Sequence, residues 1–350
     1  MKSLMAEEKR VQYIDIARGI AILCIILGHQ GISDVNRVVF TFHVPIFYFI
    51  TGYFLNDKLG IKDFIKSKVR TLLVPYVFTC VLTIVLAALL AWYQDGNVLS
   101  TIQEWIYASL YGAGDTYYEP FYIKKIGALW FLWAMFWGSI FMRISLKMKP
   151  MVRMIFILGL FGIGYWTARY MFWFPLSIQA GCCATLFIYI GYLARQAKPV
   201  FQKLSNEVKA GSVVLSVFLW GNFVRNFQSF WLVHCDMGRG VIDFVGCICG
   251  CYLLMLLSKG IEKHCKYLTR GFAYLGKYSL IVLCVHILEL NVLPWKPVRE
   301  AIMAGWGLEE LQARYLLAVV KIVLVVIVSY FCSKINVVTT LFGLKKADAK

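Results

Sequence analysis

Apolar residues run along this chain in long unbroken stretches rather than in alternation with polar ones. Ten of these stretches reach the roughly 17–25 residues that a helix needs to cross a bilayer. They cover residues 13–32, 38–55, 71–93, 126–143, 152–170, 177–194, 210–228, 240–257, 271–290 and 314–335. Inside hydrocarbon only helices and closed barrels satisfy their own backbone. Barrel strands alternate apolar and polar positions, so continuous runs predict helices. The pattern therefore predicts an all-α integral membrane protein, a polytopic bundle of about ten transmembrane helices. It forms a single domain over 1–350, with a tail at 1–12, the bundle at 13–335 and a second tail at 336–350. Most connections are short. The exception, 94–125, carries Asp95, Glu104, Asp115 and Glu119 with several tyrosines. Its stretch 99–110 suits an interfacial helix. The segment reads either as an ordinary surface loop or as a lid for a polar acceptor.

Composition agrees with this reading. The chain is 60% hydrophobic, 16% aromatic and 16% charged, against about 25% charged in soluble domains. Mean hydropathy is +0.68. A net charge of +17 would suggest nucleic acid, but its distribution points elsewhere. With the N-terminus placed inside, 24 of the 36 Lys and Arg fall in 1–10, 58–70, 143–153, 195–209, 259–270 and 334–350. Only nine fall on the outer side. This is the positive-inside pattern with both termini cytoplasmic, expected of a multi-pass protein of the cell (inner or plasma) membrane, and no nucleic-acid partner is expected. The first span is not expected to be a cleaved leader, because Arg18 interrupts it and no small-residue cleavage site follows. The eleven cysteines contain no C-x-x-C pair. Most lie within spans, where Cys is a small apolar filler, and no metal site is expected.

Ionisable groups at membrane depth are costly and are functional candidates by default. Arg18 and His29 bracket "RGIAILCIILGH". Eleven residues apart, they lie within about 20° of one helix face and about 16 Å apart along its axis. Asp15, at i−3, can pair with Arg18. "FTFHVPIFYFITGYF" puts His43 near the outer end of the second span, with Pro45 loosening the helix. Two histidines thus flank one short loop. "LGKYSLIVLCVHILEL" puts His286 in the outer half of the ninth span, with Glu289 at i+3. Arg239 and Asp243 are i,i+4 at the start of the eighth span, just after Arg225, His234 and Asp236; Lys321 lies about two turns into the tenth. Ion pairing or snorkelling can account for these last residues. A transporter with an intramembrane His/Arg/Glu relay is the alternative reading, but no Gly/Pro-broken spans occupy matching halves.

Together these stretches resemble the acyltransferase-3 family of integral membrane O-acyltransferases. "YIDIARGIAILCIILGH" is similar to that family's Arg-x10-His first helix. "FHVPIFYFITGYF" resembles its second-helix element, with Thr51 in place of Ser. "KVRTLLVPYVF", "ALWFLWAMF" and "LGKYSLIVLCVH" follow in the family's order, although Leu283 and Cys284 stand where an aromatic is common. The nearest likeness is to single-domain members similar to fucose 4-O-acetylase. The resemblance implies an O-acetyltransferase with acyl-CoA, usually acetyl-CoA, as donor on the cytoplasmic side. The acceptor it implies is a hydroxyl of an envelope glycan or similar molecule outside. Arg18 and His29 become the essential pair. Arg18, Lys66, Lys68 and Arg70 would meet the phosphates, and the pantetheine arm would thread outward to His29. A neutral imidazole, with an ordinary pKa near 6.5, can take the proton of an attacking alcohol. His286 and Glu289 would orient His29 or hold the acceptor. His43, Asp15, Trp130, Arg239 and Asp243 are expected beside the acceptor.

Overall fold

The structure, a computed structural model, describes residues 11–344. The ends of both predicted tails, 1–10 and 345–350, lie outside the described residues. Helices dominate, and the only β pairing among the described residues is an isolated bridge between Tyr117 and Ile123. In chain order the helices are α1 (Gln12–Gly28), α2 (Ser33–Val39), α3 (Pro45–Phe54), α4 (Ile61–Lys68), α5 (Val74–Tyr93), α6 (Val98–Tyr111), α7 (Trp130–Ser145) and α8 (Pro150–Tyr170). There follow α9 (Ile178–Lys203), α10 (Asn206–Arg225), α11 (Val241–His264), α12 (Lys266–Lys277), α13 (Ser279–Val292), α14 (Trp295–Trp306), α15 (Glu310–Cys332) and α16 (Asn336–Leu341).

Seven helices among the described residues are long and apolar enough to cross a membrane: Ile61–Tyr93, Gly127–Ser145, Pro150–Tyr170, Pro175–Lys203, Asn206–Arg225, Val241–His264 and Glu310–Cys332. An eighth results if α12 and α13, bent by 72° at their junction, count as one. Of the expected ten, 271–290 spans only if that bent pair counts as one, and two others fall short. The run 13–32 becomes α1, whose 17 residues stop at Gly28. The run 38–55 is divided, and only ten residues of it form α3. Pro45 opens that helix because proline has no N–H to give and its φ is already helical. In α4–α5 the reverse occurs. A π-helical turn at Val69–Leu73, just before Pro75, absorbs the backbone break that proline forces, and one 33-residue helix results.

Small residues let the helices approach closely, as at crossings in membranes. A Cβ on Gly52 of α3 would collide with the Ile188 carbonyl of α9, and one on Gly191 of α9 would collide with the Phe49 carbonyl of α3. The same reciprocity joins α1 to α12: Gly19 abuts the Phe272 carbonyl, and Gly276 abuts the Asp15 carbonyl. These two crossings fix α1, which carries Asp15 and Arg18 and ends at His29, and α3, which begins just after His43. The stretch 99–110, expected as an interfacial helix, forms α6, which is one residue longer at each end. Asn97 caps it by accepting the Ser100 N–H at 3.0 Å, and Gly112, at φ 69°, ends it in the left-handed region.

Candidate active site

His29 stands at the end of α1 as its C-cap. Its Nδ1 lies 2.8 Å from the Ile25 carbonyl. A carbonyl can only accept, so Nδ1 carries the hydrogen and the neutral ring presents Nε2 as a lone pair. The chain turns at Gly31 (φ 68°), whose carbonyl accepts from Arg314 Nη1 of α15 at 2.6 Å. Arg314 is itself held by Glu310 at 2.7 Å. This tie fixes the turn that follows His29.

His43 repeats the device. Its Nδ1 donates to the Val39 carbonyl at 2.6 Å, leaving Nε2 available, and its ring meets Phe40 edge-on at 4.8 Å. His29 and His43 line one cavity of about 180 Å³ with Asp115, Trp130, Phe131, Trp231 and Leu283 among its other walls. His29 is exposed by residue surface. An apolar cavity of about 150 Å³ holds a benzene-sized ring, so this one has room for a single six-membered ring. The wall is mainly aromatic and aliphatic, and its ionisable members are the two histidines and Asp115.

Behind His29 sits a buried polar chain. The His286 ring lies 5.2 Å from the His29 ring, edge to face. His286 Nδ1 donates to Glu289 Oε2 at 2.9 Å, and Lys321 Nζ lies 3.6 Å from Glu289 Oε1. Lys321 also caps the Trp295 ring at 4.8 Å. His286 is fully buried, and its Nε2 has no hydrogen-bond partner among the described residues. Charges this deep are tolerated when paired, and Lys321 supplies the pairing for Glu289.

The long segment 94–125 comes down beside the cavity. Asp115 Oδ2 accepts from His234 Nε2 at 3.0 Å. The opposite His234 nitrogen, Nδ1, accepts from the Tyr117 hydroxyl at 3.3 Å. Burial, with the nearby Asp115 carboxylate, pushes the Tyr117 phenol up, so it stays a donor. The Tyr117 ring stacks on Trp173 at 5.3 Å. The cavity wall is therefore partly built from this segment.

A second cavity, of about 680 Å³, lies at the other end of α1. Val11, Tyr13, Ile14, Asp15 and Arg18 of the α1 end face Tyr53 and Phe54 of α3 and Arg195, Lys198 and Pro199 of α9. Arg18 pairs with Asp15 at 3.7 Å. Among the described residues none lines both cavities; α1 and α3 run from one to the other.

The acyltransferase domain family matches residues 11–334, nearly the whole chain and both cavities. The chain belongs to the acyltransferase-3 family. Among curated proteins, this acyltransferase-family chain is similar to nodulation protein NolL of Mesorhizobium japonicum, 27% identical over 145 residues. That match covers 37% of this chain and 34% of the relative. NolL of Sinorhizobium fredii is 25% identical over 135 residues, 34% of this chain and 32% of the relative. The chain thus matches about a third of the length of these curated relatives. No solved structure matches it.

In this acyltransferase-family fold the expected residues separate into groups. His29, His43 and Trp130 share the smaller cavity, and His286 and Glu289 lie behind His29. Asp15 does not lie there: it lines the larger cavity with Arg18, because both stand near the start of α1. Arg239 and Asp243 line neither cavity. Asp243 is fully buried and receives Arg239 Nε at 2.9 Å, Nη2 at 2.7 Å and its backbone N–H at 2.8 Å. Arg239 also reaches Asn222 at 3.2 Å. The pair clamps the start of α11 to α10. Lys66 and Arg70 are exposed outside the larger cavity, and Lys68 lies near Arg18 with its ammonium 5.4 Å from the Phe64 ring. Sequence reasoning counted Arg195 and Lys198 only as surface charge. The signal that finds them is their spacing from Gly191. At i+4 and i+7 they share the helix face that crosses α3.

Proposed function

We propose that this protein transfers an acyl group, acetyl in the simplest case, from acyl-CoA on the cytoplasmic face to a hydroxyl of an envelope glycan or similar acceptor on the outer face. The observation that carries the reading is the tautomer of His29. With Nδ1–H committed to Ile25, Nε2 is the ring atom left to act as a base, on a residue that lines a ring-sized, aromatic-walled cavity. Aromatic walls suit the faces of a sugar, and Asp115 offers a carboxylate to its hydroxyls.

In the proposed step His29 Nε2 takes the proton of the acceptor hydroxyl as the oxygen attacks the thioester carbonyl. The C–S bond then breaks, the acyl group remains on oxygen, and the proton passes from His29 to the departing thiolate. The transient imidazolium donates from both nitrogens, and Ile25 already accepts from Nδ1. The His286–Glu289–Lys321 chain packs against the ring and holds it in place. Arg18, at the larger cavity, anchors the donor's anionic end. The separation of about 16 Å along α1 is then spanned by the donor's pantetheine arm, which must pass between α1 and α3.

Purified protein incubated with radiolabelled acetyl-CoA and a panel of sugars and glycosides should yield labelled ester on one acceptor. Absence of transfer, together with absence of CoA binding, would overturn the proposal.

A further inference from the structure

The larger cavity gives the donor end a specific form. Arg195 and Lys198 stand on one face of α9, four and seven residues past Gly191. Gly191 is where α9 meets α3 without an intervening side chain. That crossing places the two cations beside Tyr53 and Phe54, opposite Arg18 of α1. Arg195 is steadied by the Leu55 carbonyl at 3.4 Å. Three cations and one carboxylate, Asp15, line the cavity, and Lys259 lies against Tyr13 at its edge, 5.0 Å from the ring. The volume of about 680 Å³ falls in the range of small-molecule sites, about 300–1,000 Å³. The walls combine guanidinium groups, an ammonium and two tyrosine rings. Guanidinium grips phosphate through two parallel hydrogen bonds, ammonium acts as a point charge, and a tyrosine ring offers a flat face to a base.

We infer that Arg195 and Lys198, with Arg18, form a phosphate-binding site for the nucleotide end of the donor, and that this site rather than the exposed Lys66 and Arg70 selects a nucleotide-bearing thioester. The inference rests on the acyl-CoA reading above for its biological meaning. Its chemistry, recognition of a phosphorylated nucleoside, stands by itself. A cationic cavity near a membrane surface can also receive the phosphate of an anionic lipid, so the test separates the two sources.

The probe is adenosine 3′,5′-bisphosphate, which carries no thioester. Its binding is measured by calorimetry on the full chain in phosphatidylcholine nanodiscs, with thermal unfolding to confirm that each variant is folded. The wild type should bind, R195Q/K198Q should bind at least tenfold more weakly, and added salt should weaken the wild type more than the variant. In transfer assays R195Q/K198Q should raise KM for acetyl-CoA with little change in kcat. It should leave transfer from S-acetyl-N-acetylcysteamine, which has no phosphate, as in wild type. Unchanged nucleotide binding in R195Q/K198Q with loss in K66Q/R70Q would overturn the assignment. So would failure of the wild type to bind the nucleotide while R195Q/K198Q loses a preference for phosphatidylglycerol, which would make the site a lipid site. If the nucleotide binds as described but no donor supports transfer, the site stands and the acyl-transfer reading falls.

Discussion

The Nδ1–H of His29 is committed to the Ile25 carbonyl one turn back, which leaves Nε2 as the acceptor of a ring that lines the cavity. Because the helix ends there, the ring is not shielded by a following turn. His29→Gln keeps a side chain of similar length and lacks a base. Transfer should fall by about 10²–10⁴-fold, the usual worth of a positioned general base, while nucleotide binding and thermal unfolding stay near wild type. Full activity in that variant would remove the mechanism. Asp115 is the carboxylate of the same cavity, and the hydrogen bond from His234 fixes its orientation. Asp115→Asn should raise KM for the acceptor several-fold and leave KM for acetyl-CoA alone; a change in donor KM alone would contradict its placement. His29, His43, His286 and Glu289 were legible in the sequence because ionisable groups are rare in apolar runs. Asp115 was named only as one of four acids in a long loop, since nothing local shows which acid faces inward.

At the scale of the element, two crossings and one buried ion pair organise the site. Gly52 and Gly191 remove the side chains between α3 and α9. Gly52→Leu forces these helices apart, and overpacking of this kind costs about 1–3 kcal/mol, visible as a lower unfolding temperature in detergent. An unchanged midpoint would show that the crossing is looser than described. Glu289 and Lys321 are both buried, on α13 and α15. Removing one partner leaves a buried charge, at a cost of up to about 3–5 kcal/mol. Lys321→Met should therefore destabilise the protein and slow transfer, and E289Q/K321M should be less destabilised than K321M alone. Additive losses would mean that the two groups do not interact. The sequence showed Lys321 as a lone cation two turns into a span, for which snorkelling sufficed. Its partner belongs to another helix, so no spacing rule reaches it. Arg239 and Asp243 illustrate the converse. Their i,i+4 spacing announced a pair, but spacing could not tell a clamp between α10 and α11 from a ligand site.

Across the whole molecule, the all-helical membrane character followed from the continuous apolar runs. The division of those runs did not, because hydropathy registers an apolar stretch whether or not the backbone within it is one helix. The 38–55 run contains Pro45 and breaks there, and 271–290 bends by 72° where α12 meets α13. The outcome is functional in form. α1 and the short α3 run between two cavities with different chemistry, cations at one end and histidines in an aromatic pocket at the other. On the proposed reading the molecule carries an acyl group from one membrane face to the other. Proteoliposomes of known orientation, with acetyl-CoA supplied on one face and the acceptor confined to the other, test this most directly. Acylated acceptor should form when the donor meets the Arg18 face and the acceptor meets the His29 face, and His29→Gln should stop it. Transfer at the same rate with donor and acceptor both confined to the His29 face, or undiminished transfer by His29→Gln, would contradict the account.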